Sequence, residues 1–188
     1  MALLKLAAWG AFTAAAAAVA PASAGVTVIG NSNARLCYEA AESSGPASTS
    51  MLAYCDEALA DRSLVKRDLV ATYVNRGILR LRLNRTDAAI DDFDTAIGKD
   101  PGEAEAYLNK GMALLRSGTG GRDALALFDT ALAKRTRKPA IAYYGRAIAH
   151  EMTGNVRQAY FDYRQASLLD PKWPLPQTEL VRFSVQAR

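Results

Sequence analysis

Along the chain, apolar and small residues return at three- and four-residue steps on one side of successive short segments. Turn residues divide each segment from the next, which is the pattern of amphipathic helices. The nearest approach to strand alternation is the valine pair between Gly25 and Asn31, too short to predict a strand. The second half of the chain has a period. Ala89, Phe93 and Ala96 recur as Ala124, Phe128 and Ala131, and again as Ala159, Tyr163 and Ala166, each 35 residues on. Ahead of each triplet stands a matching segment: Tyr73-Val-Asn-Arg-Gly77, Tyr107-Leu-Asn-Lys-Gly111 and Tyr143-Tyr-Gly-Arg-Ala147, spaced by 34 and then 36 residues. One extra residue in the turn at Gly118 to Gly121 and another before Pro139 reconcile the two spacings, both in loops, which tolerate insertion.

Each copy therefore predicts two short helices folded into a hairpin. Small residues at Gly77, Gly111 and Ala147, facing Ala89, Ala124 and Ala159, let the paired helices approach, while Tyr73, Phe93 and their equivalents fill the space beside them. Asp100-Pro101 and Asp170-Pro171 end the second helix, because proline lacks a donor and disfavours helix in the residue before it. One hairpin cannot bury its own apolar face, whereas three stacked copies can. Between residues 25 and 69 the pattern decays into a degenerate hairpin, with helices over Ala34–Glu42 and Met51–Asp61 and a turn from Ser43 to Ser50. Beyond residue 173, Pro174 and Pro176 break the chain, and Thr178 caps a last helix over Glu179–Val185, with Leu180 and Phe183 covering the third hairpin.

The first residues change the picture of where the protein works. Lys5 precedes an apolar run from Leu6 to Ala20, and Ala22-Ser23-Ala24 supplies small residues for a cut after Ala24: a secretory signal peptide, 1–24. The same run read as a membrane anchor would need about 20 apolar residues, more than it has. Export to the periplasm or beyond would leave no stable membrane insertion, and it favours a disulfide between Cys37 and Cys55 over two buried thiols or a redox pair. With 23 basic and 19 acidic residues and a net charge of +4, the chain lacks the clustered cations of a nucleic-acid surface.

The order Tyr, Gly or Ala, Ala, Phe or Tyr, Ala, Pro at this period resembles the tetratricopeptide repeat, over 70–103, 104–138 and 139–173. The resemblance implies an all-α, right-handed solenoid of stacked helical hairpins: three repeats, the degenerate N-terminal hairpin in 25–69, and a capping segment over 174–188. The departures are Ala147 for glycine, Thr136 where the middle copy should have proline, and Arg76, Lys110 and Arg146 where leucine is commoner. Two readings stand for these cations: pairing of Arg76 with Asp92 and of Arg146 with Asp162, leaving Lys110 facing Leu127 without such a partner, or plain solvation.

In that family partners usually lie along an inner wall built from the first helix of each hairpin. The resemblance assigns this wall to Val74, Ile78, Leu81, Leu108, Met112, Leu115, Tyr144, Ile148 and Met152. All but Tyr144 are aliphatic or thioether, an apolar stripe that implies a groove for an apolar peptide or amphipathic helix. The bland alternative makes them core, or covers them with the chain's own ends. A carboxylate clamp of the kind some members carry is opposed by Val74 and Ile78 at two of its places; Asn75 and Asn109 then serve the fold, and Arg82 and Arg116 are solvated or meet an acidic partner. Catalysis and metal or cofactor binding find little support. His150 is the sole histidine, on the inner face of a first helix. Asp91, Asp92 and Asp94 point in different directions along one helix, and Gly118 to Gly121 lacks the lysine of a phosphate loop. The expected function is non-catalytic binding of another protein or peptide, with self-association of the apolar face in an envelope assembly as the alternative. Mass spectrometry without reductant should show a mature chain that begins at Gly25 and carries two hydrogens fewer than free thiols would give.

Overall fold

A computed structural model describes residues 24–28, 30, 32–118 and 120–183, and every regular element in them is an α-helix. The segment read as a signal peptide lies outside the described residues except for Ala24. The helices are α1 (Ser32–Glu42), α2 (Thr49–Ala60), α3 (Lys66–Arg82), α4 (Thr86–Lys99), α5 (Ala104–Ser117), α6 (Gly121–Ala133), α7 (Pro139–Met152), α8 (Val156–Leu169) and α9 (Pro174–Leu180). They pair as consecutive antiparallel hairpins, and the first helices α1, α3, α5 and α7 touch one another in series. The wall formed by those first helices is thus the tighter, inner side of the solenoid.

Each hairpin closes on a small residue lying under a ring. A Cβ added at Gly77 would stand 2.5 Å from the Phe93 ring, and one at Gly111 would stand 2.9 Å from Phe128. The rings of the second helix therefore rest on the glycines themselves rather than beside them, and Ala89 and Ala124 are buried next to that contact. In the third hairpin Ala147 and Tyr163 are buried at the same places, and the Tyr163 hydroxyl donates to Glu151 Oε2 at 2.6 Å. In the first, Cys37 and Cys55 meet as a disulfide with their Cα atoms 4.9 Å apart. Cys55 precedes buried Ala58 by three residues, as Phe93 precedes Ala96, so a covalent link stands where the other copies use ring packing. The turn between paired helices carries one left-handed residue in each repeat: Asn84 (φ 61°), Gly118 (φ 77°) and Gly154 (φ 78°).

The cations at positions 76, 110 and 146 join hairpins as well as close them. Arg76 holds Asp92 in its own hairpin through Nε (3.0 Å) and Nη2 (2.7 Å), and reaches back to Asp56 of α2 with Nη1 at 2.7 Å. Arg146 repeats this with Asp162, at 2.7 Å through both Nε and Nη2, and with Asp129 of α6 at 2.6 Å. Lys110 faces no carboxylate across its own hairpin, but it is not unpaired, because Asp94 of the preceding α4 accepts from its Nζ. A planar guanidinium serves two carboxylates on different helices; Lys110, with Leu127 where the other copies have Asp92 and Asp162, keeps only the link to the preceding hairpin.

Three expectations are corrected. The helices of the degenerate hairpin start earlier, at Ser32 and Thr49. Pro174 and Pro176 do not break the chain but sit in the first turn of α9, where amides have no intrahelical acceptor, so their missing donors cost nothing. Thr178 is accordingly inside that helix and donates to the Pro174 carbonyl at 3.1 Å, while Phe183 packs against Tyr160 and Tyr163 as expected. Thr136 replaces the expected proline because a buried carboxylate needs donors there. Glu105 Oε1 accepts from the Arg137 amide (2.7 Å), Arg137 Nε (3.2 Å) and Thr136 Oγ1 (3.3 Å).

Gly111→Leu should force helices α5 and α6 apart and lower stability by more than about 1 kcal/mol; an unchanged thermal melt would refute this packing. The Glu103 carboxyl, beside Glu105, is pushed from an ordinary 4.5 up to about 7 by burial and by the hydrogen bond and charge of Glu105. A folded value raised above the unfolded one means stability that is complete below about 4.5 and lost as pH climbs through about 7. Glu103→Gln should therefore melt above the wild type at pH 8 and with it at pH 4; an equal difference at both would refute the raised Glu103 carboxyl.

Candidate functional site

The inner wall is occupied by the chain itself. Residues 24–28 run extended across the first helices in reverse order, from α5 to α3, before the chain turns into α1. Alternation decides which side chains they present: Ala24, Val26 and Val28 are buried and Thr27 is exposed. Val26 and Val28 join a core with Val70, Val74 and Ile78, and Ala24 packs into the next core with Leu108, Met112 and Leu115. The backbone of Val26 is bracketed by one side-chain amide. Its N–H donates to Asn75 Oδ1 at 2.9 Å, and its carbonyl accepts from Asn75 Nδ2 at 2.9 Å. Asn109, one repeat later, gives Nδ2 to the Glu105 carbonyl (2.8 Å) and, at a longer 3.5 Å, to the Ala24 carbonyl. Two asparagines one repeat apart thus hold consecutive parts of an extended peptide, a contact the sequence reading assigned to the fold. Their identical register on consecutive first helices was the available signal. The third repeat has Gly145 at that place, where a Cβ would stand 2.4 Å from Phe128.

Of the nine residues expected along the groove, Val74, Ile78, Leu108, Met112, Leu115 and Tyr144 are buried, and Leu81 and Ile148 are half-buried. Only Met152, 37% exposed, faces open solvent. The expected bare apolar stripe is absent because the wall serves three core clusters and its first two repeats carry the strap of residues 24–28. Tyr144 is covered from the other side, by Tyr163 at 5.5 Å and Trp173 at 4.8 Å between ring centroids. Arg82 is neither solvated nor free for an acidic partner: its Nη1 donates to the last carbonyls of α1, Ala40 (3.0 Å) and Ala41 (3.1 Å), and its Nη2 to Gly45. Such a cation at a helix C-terminus satisfies orphan acceptors and the dipole together. Arg116 donates to Asn84.

His150 lies toward its own hairpin rather than the inner wall. Its Nε2 is 3.8 Å from Asp162 Oδ2, and burial lowers its basicity below the ordinary value. Asp162 is already taken by Arg146, so no acid and base pair forms there. Asp92 is shared by Arg76 and Arg80, and Asp94 is taken by Lys110, as their divergent directions predicted. Among the described residues no three His, Cys, Asp or Glu side chains converge as a metal site, and no helix is long and apolar enough to cross a membrane.

The comparisons agree with the repeat fold. The tetratricopeptide repeat profile matches residues 74–121 and 120–168, together just over half of the chain. No curated protein matches it. Among solved structures, MamA from Desulfovibrio magneticus RS-1 has a TM-score of 0.62 at 21% identity, covering 80% of this chain and 82% of that one. The first repeat domain of Spaghetti (RPAP3), bound to the HSP90 peptide SRMEEVD, has a TM-score of 0.56 at 22% identity, covering 60% of this chain and 88% of that one. The first such domain of human RPAP3 gives the same score and identity, with 60% and 87% coverage.

Asn75→Ala would leave the buried N–H and carbonyl of Val26 without partners, at about 1–3 kcal/mol for each group. The expected result is a lower melting temperature together with fast hydrogen exchange at the Val26 amide. An amide that stays protected would show that the bracket does not hold the strap.

Proposed function

The chain belongs to the tetratricopeptide repeat family, and from that premise we propose that it is an exported, non-catalytic protein-interaction module whose inner wall receives an extended apolar segment of another protein. The observation that carries this reading is the strap. Residues 24–28 lie on the wall as a peptide ligand would, with alternate small or branched side chains buried and one asparagine exchanging two hydrogen bonds with the backbone. Backbone bonds of that kind supply affinity without demanding a sequence, and the pockets beneath alternate residues supply selectivity. The neighbour that holds an HSP90 peptide lends the same support at the level of the fold, though that peptide, SRMEEVD, is acidic. Here the partner chemistry is set by Val74, Ile78, Leu108 and Met112, which favour small and β-branched apolar side chains. A partner would compete with the strap, so the apparent affinity is reduced by the fraction of time the strap stays seated. Met152 and the half-buried Ile148 would extend the contact beyond the strap.

A second reading, self-association within an envelope assembly, is favoured by one observation: Phe161 and Leu168, seven residues apart on α8, are 48% and 63% exposed. Light scattering separates the two, since a stable dimer lost on Leu168→Asp would favour assembly.

The test of the first reading expels the strap without shortening the chain. Val26→Asp with Val28→Asp should free the wall, and a synthetic peptide of residues 24–30 should then bind at least about tenfold more tightly than to the wild type, a difference of about 1.4 kcal/mol. Adding Asn75→Ala should remove that binding. Equal, weak binding by all three proteins would sink the proposal.

A further inference from the structure

Gly25, the second residue of the strap, has a partner of its own. The Gly25 nitrogen donates to Glu42 Oε1 at 2.7 Å, a part-buried contact at the end of α1. A side chain at residue 25 would occupy the carboxylate's position, because an added Cβ would stand 2.5 Å from Oε1 and 3.0 Å from Cγ. Glycine at residue 25 thus lets the Glu42 carboxylate seat against that nitrogen without shifting. One residue on, Val26 enters the Asn75 bracket. Chain ends ordinarily fray unless something ties them down. The backbone is thus tied at two consecutive residues, Gly25 and Val26, and Gly25 is the residue that a cut after Ala22-Ser23-Ala24 would make the first.

The geometry points to Glu42 as the docking carboxylate for a free α-amino group at Gly25, created by removal of the leader; this rests on the export reading. Hydrolysis of the Ala24–Gly25 peptide bond by a signal endopeptidase consumes one water. The Ala24 carbonyl carbon takes the hydroxyl and departs as a carboxylate with the severed segment. The Gly25 nitrogen gains two protons, one from the water and one from the ionising carboxyl, and becomes an ammonium. An unperturbed α-amino group titrates at about 7.7–8.0, so at neutral pH this nitrogen is mostly cationic. The contact with Glu42 changes from an amide donating to a carboxylate into an ion pair with a charge-assisted hydrogen bond, the stronger kind. Asn109 loses its long contact to Ala24 and keeps the Glu105 carbonyl at 2.8 Å. Cleavage thereby fastens the strap over the first repeat, where Val26 and Val28 stay on Val74 and Ile78, while it takes Ala24 away from Leu108, Met112 and Leu115.

The test uses protein purified after export from its complete precursor, in wild-type and Glu42→Gln forms, each with and without selective acetylation of the α-amino group. Intact mass should start at Gly25; a mature chain beginning elsewhere overturns the inference and leaves the export reading standing, whereas an uncleaved chain overturns both. Acetylation turns the ammonium back into an amide and should lower the wild-type melting temperature by about 2–4 °C, with no further loss in Glu42→Gln. If acetylation costs both proteins the same, or costs the wild type nothing, Glu42 is not the docking group, and the export reading stands untouched.

Discussion

The fold depends on how closely two helices of one hairpin can approach, and a single pair of positions sets that distance. Where a ring from the second helix rests on a residue with no side chain, the helices come near enough for their flanking alanines to be buried as well. Dense packing of this kind leaves no room for an added methyl group under Phe93 or Phe128, which is why those two copies carry glycine, whereas the third buries Ala147 in one core with Tyr163. The degenerate first hairpin meets the same constraint by another means, placing a disulfide across the gap. A covalent bond there restricts the unfolded chain instead of filling space in the folded one.

Stacking is a separate problem from pairing, and the cations address it. Arg76, Lys110 and Arg146 each reach a carboxylate on the preceding hairpin, Asp56, Asp94 and Asp129. These partners are exposed on one side, so each link contributes modestly by itself. Their repetition fixes register, because shifting one hairpin along its neighbour by a turn would break the set. The buried carboxylates Asp92 and Asp162 are compensated within their own hairpins by the same guanidinium groups, which combines local closure and neighbour contact in one side chain.

The inner wall is part of the core. Its apolar residues are buried, yet what covers them over the first two repeats is a short extended segment rather than a helix. The segment is held by backbone hydrogen bonds and by small side chains, and both could be supplied by another chain of similar shape. Under the proposed function, competition between strap and partner would make the groove conditional, and the proposed ion pair at residue 25 would enter that competition directly.

The period of 35 residues, the hairpin unit, the close approach at small residues and the cysteine pair were all legible in the sequence, because each follows from local periodicity or from residue types with few alternatives, whereas the seating of the rings directly on the glycines was not. The pairing of Arg76 with Asp92 and Arg146 with Asp162 was legible for the same reason, as a constant offset of sixteen residues within one copy. What the tertiary structure alone decided lies between copies or far apart along the chain. Asp94 for Lys110, the carbonyls of α1 for Arg82, and Glu105 as the reason for Thr136 depend on how hairpins rotate against one another, which no repeat period encodes. The bracket of Asn75 on Val26 spans 49 residues and joins a helix to a segment with no periodicity. An extended peptide of five residues makes its bonds to whatever wall the rest of the chain presents. Its place, and with it the covering of Val74, Ile78 and Leu108, therefore exists only once that wall has formed.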